Sequence, residues 1–157
     1  MSLSPVILDN GTPYSWAIMP LLLDRLRKFT GSHTDVDSDP LPELVSAAFG
    51  TNHPSVLVIA ILDDEAVLPD ALVGHLIAGK ETYLGREVGM VYQFEKTGTN
   101  EGWKDMNKAI SAMVDLWARN QGLDEIMAMV ETESRTKLFS YFGYTRGPVL
   151  MRRKFDG

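Results

Sequence analysis

A run of glycine and small polar residues, Lys96-Thr97-Gly98-Thr99-Asn100-Glu101-Gly102, stands directly before a long amphipathic segment. Such a loop can turn several backbone N–H groups toward one anion, because positions without side chains let the main chain approach closely. The start of a helix adds partial positive charge, so phosphate suits this chemistry. Nucleophilic and metal chemistry find no comparable setting. Cysteine is absent, neither a Gly-x-Ser-x-Gly elbow nor a Walker signature occurs, and His33, His53 and His75 lack metal-site spacing. No metal is expected. Asp35, Asp37 and Asp39 alternate like the opening of a calcium loop, but Pro40 and Ser46 stand where that loop needs glycine and glutamate.

The elements that must position this loop follow from periodicity. Apolar spacing predicts an amphipathic helix over 13–30, bent or started by Pro20, and a second over 43–49 closed by Gly50. Residues 56–62 are apolar on both faces and β-branched, which predicts a strand covered on both sides. Strands over 72–83 and 87–95 flank the short link Leu84-Gly85-Arg86 and form an antiparallel meander. Trp103, Met106, Ile110, Met113, Val114 and Trp117 then recur at helical spacing up to Asn120, with Gly122 as the stop. A short strand over 126–130, a helix over 134–142 ending at Gly143 and a last strand over 148–155 complete the order. The expectation is one α/β (α+β) domain spanning residues 1–157, with a mixed, mostly antiparallel sheet and helices on both faces.

Charge narrows the partners. The net charge of −6 argues against nucleic acid, whose binding needs cations to displace counterions. Residues 1–70 carry 3 basic and 10 acidic side chains, against 12 and 11 in the remainder. The second half is therefore the more permissive host for an anion, and the first could draw in a cationic partner. No apolar run reaches transmembrane length and the first residues lack a signal-peptide pattern, so a soluble, cytoplasmic protein without membrane attachment is expected. The eight methionines, several on predicted core faces, read as adaptable packing.

The stretch Ser134-Arg-Thr-Lys-Leu138-Phe139-Ser-Tyr141-Phe142-Gly143-Tyr144, followed by Val149-Leu150-Met151, reads as a helix, a glycine, an aromatic and a strand. Through this pattern residues 56–155 resemble the GCN5-related N-acetyltransferase (GNAT) family. The pattern is similar to the family's helix of leucine, aromatic, two variable residues, apolar residue, glycine and aromatic, leading into a strand. The resemblance implies acetyl-CoA as co-substrate, with Thr97, Gly98, Thr99, Asn100, Gly102, Trp103 and Lys104 at its pyrophosphate and Phe139 beside its sulfur. It also implies that the third strand of the meander splays from its neighbour, so that backbone N–H groups near Tyr92, Gln93 and Phe94 hold the pantetheine arm and the thioester oxygen.

The implied reaction is direct attack by an amine on the thioester within a ternary complex, a matter of position and electrostatics more than covalent catalysis. The acceptor would be a small-molecule or peptide amine, and the partners expected beside it extend to a second copy of the chain in a homodimer. His75, Glu81 and Glu95, on the two central strands, are the candidates for taking the amine's proton. Two departures bear on this reading. The loop keeps only Gly102 of the family's glycine pattern and carries the acidic Glu101. Phe139 stands where many members place a tyrosine that protonates the departing thiolate, and Tyr141, the other candidate acid, lies about 200° further round the helix. A noncatalytic GNAT-like module that binds a ligand or a protein is the alternative these departures favour.

Overall fold

The computed structural model describes residues 2–31, 41–97, 102–130, 133–147, 153 and 155. In chain order the elements are β1 (Leu3–Ile7), α1 (Pro13–Gly31), α2 (Leu41–Thr51), β2 (Val56–Asp63), β3 (Leu72–Tyr83) and β4 (Arg86–Lys96). They are followed by α3 (Trp103–Asn120), β5 (Ile126–Ala128) and α4 (Glu133–Tyr141). The strands form one sheet in sequential order, antiparallel from β1 to β4, with β5 parallel to β4.

Alternation along β2 explains the layers. Val58, Ala60 and Leu62 face one side and pack with Ile18, Leu22 and Leu26 of α1 and Val45 and Phe49 of α2. Leu57, Ile59 and Ile61 face the other and pack with Trp103, Met106, Ile110 and Val114 of α3. Both faces of the strand are thus covered by helices, as its unbroken apolar run requires. On the α3 side Gly74 is obligatory in size. A Cβ there would lie 2.8 Å from the Glu95 carbonyl oxygen and 2.8 Å from the buried Trp103 ring.

Several boundaries differ from the sequence-based expectation for local reasons. β1 was not anticipated because Pro5 interrupts it; at the sheet's edge, paired only with β2, a strand tolerates a missing N–H. α2 runs past Gly50 to Thr51, whose hydroxyl donates to the Ala47 carbonyl. α1 continues through Pro20 as one helix. The β3–β4 link is a two-residue turn in which Leu84 and Gly85 both have positive φ, matching the twist of a hairpin. Gly122 and Gly143 end α3 and α4 in the left-handed conformation, and the next N–H groups reach back to Ala118 and Phe139. The expected strand over 148–155 lies outside the described residues apart from 153 and 155.

Gly74→Ala should lower stability by about 1–3 kcal/mol, because the added methyl meets backbone on one side and a locked indole on the other. A urea-denaturation midpoint equal to that of the unaltered protein would show that α3 is not seated against β3 as described.

Candidate active site

Among the described residues, two irregularities leave part of the outer edge of β4 without a strand beside it. Ile77 pairs with Gln93 while Ala78 pairs with Val91, so Tyr92 is an extra residue, a β-bulge. On its other edge β4 pairs with β5 only as far as Val91, whose carbonyl accepts the last bond from Met129 N–H. Beyond Val91 the described residues show no further pairing between the two strands. Glu95 sits opposite His75, and Thr97 N–H donates to Val73 O, so by alternation the main-chain groups of Phe94 and Lys96 turn toward the opened edge.

Arg135 of α4 reaches this edge. It donates from Nη1 to the Phe94 carbonyl and from Nη2 to Glu95 Oε2 at 3.1 Å, and it lies 5.5 Å from the Phe94 ring centroid. One carbonyl of the opened edge is therefore satisfied from within, while the Phe94 N–H shares the same side.

Beside the end of β4 stands the start of α3. Gly102 caps it with φ 80° and no side-chain bond, and the helical ladder begins with Met106 N–H to Gly102 O. The N–H groups of Trp103, Lys104 and Asp105 precede that ladder and have no helical acceptor. Lys96 places its ammonium 5.5 Å from the Trp103 ring centroid, and burial, reinforced by Arg135, pulls its pKa down. Cations at an uncapped helix start make this mouth receptive to an anion. Thr97 contributes differently from the expectation: its N–H and its hydroxyl both go to Val73 O, so its N–H serves the strand ladder. Gly98, Thr99 and Asn100 lie outside the described residues. Trp103 buries its side chain in the core and can offer a ligand only its main chain, while Lys104 is exposed.

Between β4, α3 and α4 lies a cavity of about 20 Å³ walled by Val91, Phe94, Leu138, Phe139 and Tyr144. Asn107 lines it with a buried Oδ1 that has no partner, and the space suffices for one water. Phe139 packs edge-on to Tyr144, whose hydroxyl is pushed up to about 12 by burial and then by Asp115. Tyr141 is 62% exposed and packs on Phe142, which lines this cavity while Tyr141 itself does not.

The remaining candidates gather on the α1 face of β3 and β4. His75 is 1% exposed, and its Nε2 lies 2.6 Å from Gln93 Oε1, while its Nδ1 has no partner. Burial lowers its pKa to about 4, opposed by the Gln93 bond and assisted by the charges of Arg25 and Arg135. It is a neutral, enclosed imidazole that fixes the Gln93 amide. Glu95 stands beside it, partly shielded and held by Arg135. Further along, the bulged Tyr92 donates its hydroxyl to Glu81 Oε1; burial, then that bond, raises its pKa and keeps it protonated. Gly79 makes room for the Tyr92 ring, which a Cβ would approach to 2.7 Å. The fold thus groups His75, Gln93 and Glu95 at one point and Glu81 with Tyr92 at another. Sequence reasoning missed Arg135, which carries no local signal. It also missed Arg25, although an arginine three residues after Leu22 and seven after Ile18 falls on the apolar stripe of α1.

No family model matches this chain, and no curated protein does. Solved structures do. AAC(6')-Iy in complex with the bisubstrate analog CoA-S-monomethyl-acetylneamine matches 99% of this chain and 100% of its own, with a TM-score of 0.67 and 15% identity. Glucosamine-6-phosphate N-acetyltransferase from Arabidopsis thaliana matches 99% of this chain and 100% of its own, with a TM-score of 0.65 and 11% identity. A predicted acetyltransferase with acetyl-CoA from Clostridium acetobutylicum matches over 97% and 96%, with a TM-score of 0.65 and 10% identity. This chain has the GNAT fold. At such low identity the likeness is one of architecture, and the GNAT fold here includes the whole described chain, the unanticipated β1 among it. Among the described residues no helix is long and apolar enough to cross a membrane, and no group of side chains is arranged to hold a metal ion.

His75 sets a pH dependence of stability. Its folded pKa, about 4, lies below the unfolded value near 6.5, so the unfolded chain binds the extra proton between them. Stability contributed by the neutral ring is complete above pH 6.5 and falls by about 3 kcal/mol as pH drops from 7 to 4. His75→Gln should flatten that part of the profile in urea titrations at the two pH values. An unchanged slope would place the imidazole in solvent.

Proposed function

We propose that this protein is an N-acetyltransferase that takes the acetyl group from acetyl-CoA and passes it to an amine by direct attack. The observation that carries the reading is the end of β4–β5 pairing at Val91, which leaves the Phe94 main chain on an edge of β4 whose end, at Lys96, lies beside the uncapped start of α3. The N–H groups of Trp103, Lys104 and Asp105, with Lys96 nearby, supply the anion-binding end for the diphosphate of the co-substrate. The Phe94 N–H supplies a donor for the thioester oxygen, where negative charge grows as the amine adds. Val91, Leu138 and Phe139 wall the adjoining apolar space.

In this reading the amine nitrogen bonds to the carbonyl carbon, the carbon–sulfur bond breaks, and the thiolate leaves. Glu95 takes the amine's proton through water: it flanks Phe94, and Arg135 fixes its carboxylate. His75 is enclosed and acts by positioning Gln93. Glu81, occupied by Tyr92, forms the far wall. Phe139 has no proton to give, and a thiol with an ordinary pKa near 8.5 leaves without one from the protein. Phe139 is also what favours the rival, a noncatalytic binding module of the same fold.

Acetyl-CoA at a hundredfold excess over its dissociation constant should stabilise the protein by about 2.7 kcal/mol in thermal unfolding, and Lys96→Glu should weaken its binding tenfold or more. A folded protein showing no shift at millimolar acetyl-CoA refutes the reading. With binding established, an amine panel followed by thiol release separates enzyme from module. Glu95→Gln should then lower kcat by about 10²-fold or more while leaving acetyl-CoA affinity within a few-fold.

A further inference from the structure

On the α1 face of the sheet, past Glu95, a cleft of about 380 Å³ opens between α1 and the segment leading into β3. Its wall includes Arg25 and Lys28 of α1, Leu72 at the start of β3, Asp70 before it and Thr97 just past the end of β4. The charges are not equivalent. Lys28 is paired with Asp24 at 2.9 Å, one turn away. Asp70 stands exposed at the rim. Arg25 is half-buried in the apolar stripe of α1, and among the described residues it has neither an ion pair nor a hydrogen bond; its Nη1 is buried and unmet. Burial pulls its pKa down with nothing to offset the cost. A guanidinium withdrawn from water without a counter-charge is costly, and one kept so at the wall of a cleft is explained by a partner that arrives in the cleft.

The cleft's position relates it to the reaction proposed above. Thr97 follows Glu95 by two residues on the same face of β4, about 7 Å along the strand. Arg25 is also close enough to act electrostatically on His75, the cross-strand neighbour of Glu95. A molecule whose amine lies at Glu95 can therefore extend along β4 toward Arg25.

We infer that the acceptor carries an oxyanion, a carboxylate or a phosphate, a few bonds from its amine, and that Arg25 binds this group. The guanidinium fork suits either group, since both present two oxygens to parallel N–H donors. The local wall thereby departs from the average of the acidic first half, which by itself would favour a cationic acceptor. This assignment rests on the transferase reading for the amine and on Arg25 alone for the anion.

Matched acceptors test it, with acetyl-CoA and thiol release as the readout: an amino acid against its amide, and an amino sugar phosphate against the unphosphorylated sugar. The unaltered protein should prefer the anionic member of at least one pair by 10–100-fold in kcat/KM, and which pair responds tells carboxylate from phosphate. Arg25→Gln should reduce kcat/KM for that anionic member 10-fold or more beyond any change for its neutral partner. Arg25→Lys, which keeps the charge but loses the fork, should fall between. Equal use of both members of both pairs, a preference for neutral or polycationic amines, or an equal loss for both members in Arg25→Gln overturns the inference. Titration with inorganic phosphate and with acetate, followed through the Arg25 Nε–H resonance, distinguishes this failure from failure of the transferase reading. If acetyl-CoA does not bind, an Arg25-dependent shift with either anion still upholds the anion site, and no shift with either removes it.

Discussion

The bulge at Tyr92 is the constraint from which the rest of the site follows. A regular β4 would keep its main-chain groups alternating in step between β3 and β5, and every donor and acceptor would be consumed by the ladder. One inserted residue changes the phase, and β5 ends at Ala128, so beyond Val91 the outer edge of β4 has no strand beside it among the described residues. Buried backbone groups must nevertheless be satisfied. Arg135 takes the Phe94 carbonyl, and in doing so it also fixes Glu95. The edge beyond Val91 is thus tied to α4 by an ion pair and a main-chain hydrogen bond from one arginine.

The polar groups around β4 show why burial, more than charge count, governs the site. His75, Tyr92 and Lys96 are each displaced toward their neutral forms primarily by desolvation. Their partners then set their roles: Gln93 orients the imidazole, and Glu81 keeps the phenol protonated. Arg25 belongs to the same low-dielectric region but lacks a partner among the described residues, which separates it from the other three. The net charge of −6 conceals a local concentration of Lys96, Arg135 and Arg25 around the end of β4. The field a ligand meets there is set by these few cations and by the helix start, since more distant surface carboxylates are screened by water and salt.

The sequence by itself determined the layers. The two-sided apolar run of β2, the hairpin glycine at 85, the period of α3 and the glycine stops at 122 and 143 each act through nearest neighbours along the chain, and each element formed within a residue or two of its expected place. The helix–Gly–aromatic pattern likewise suffices to suggest the GNAT architecture. What only the tertiary structure decided is the phase of β4, the escape of Thr97 N–H into the ladder, the crossing of Arg135 to Phe94 and Glu95, and the enclosure of His75. These depend on which strand lies beside which and where the pairing stops. Such contacts join residues 13 to 41 positions apart, and their energies appear in no local period: a bulge is one residue of register, and an arginine that crosses to another element has the same local signature as one in water.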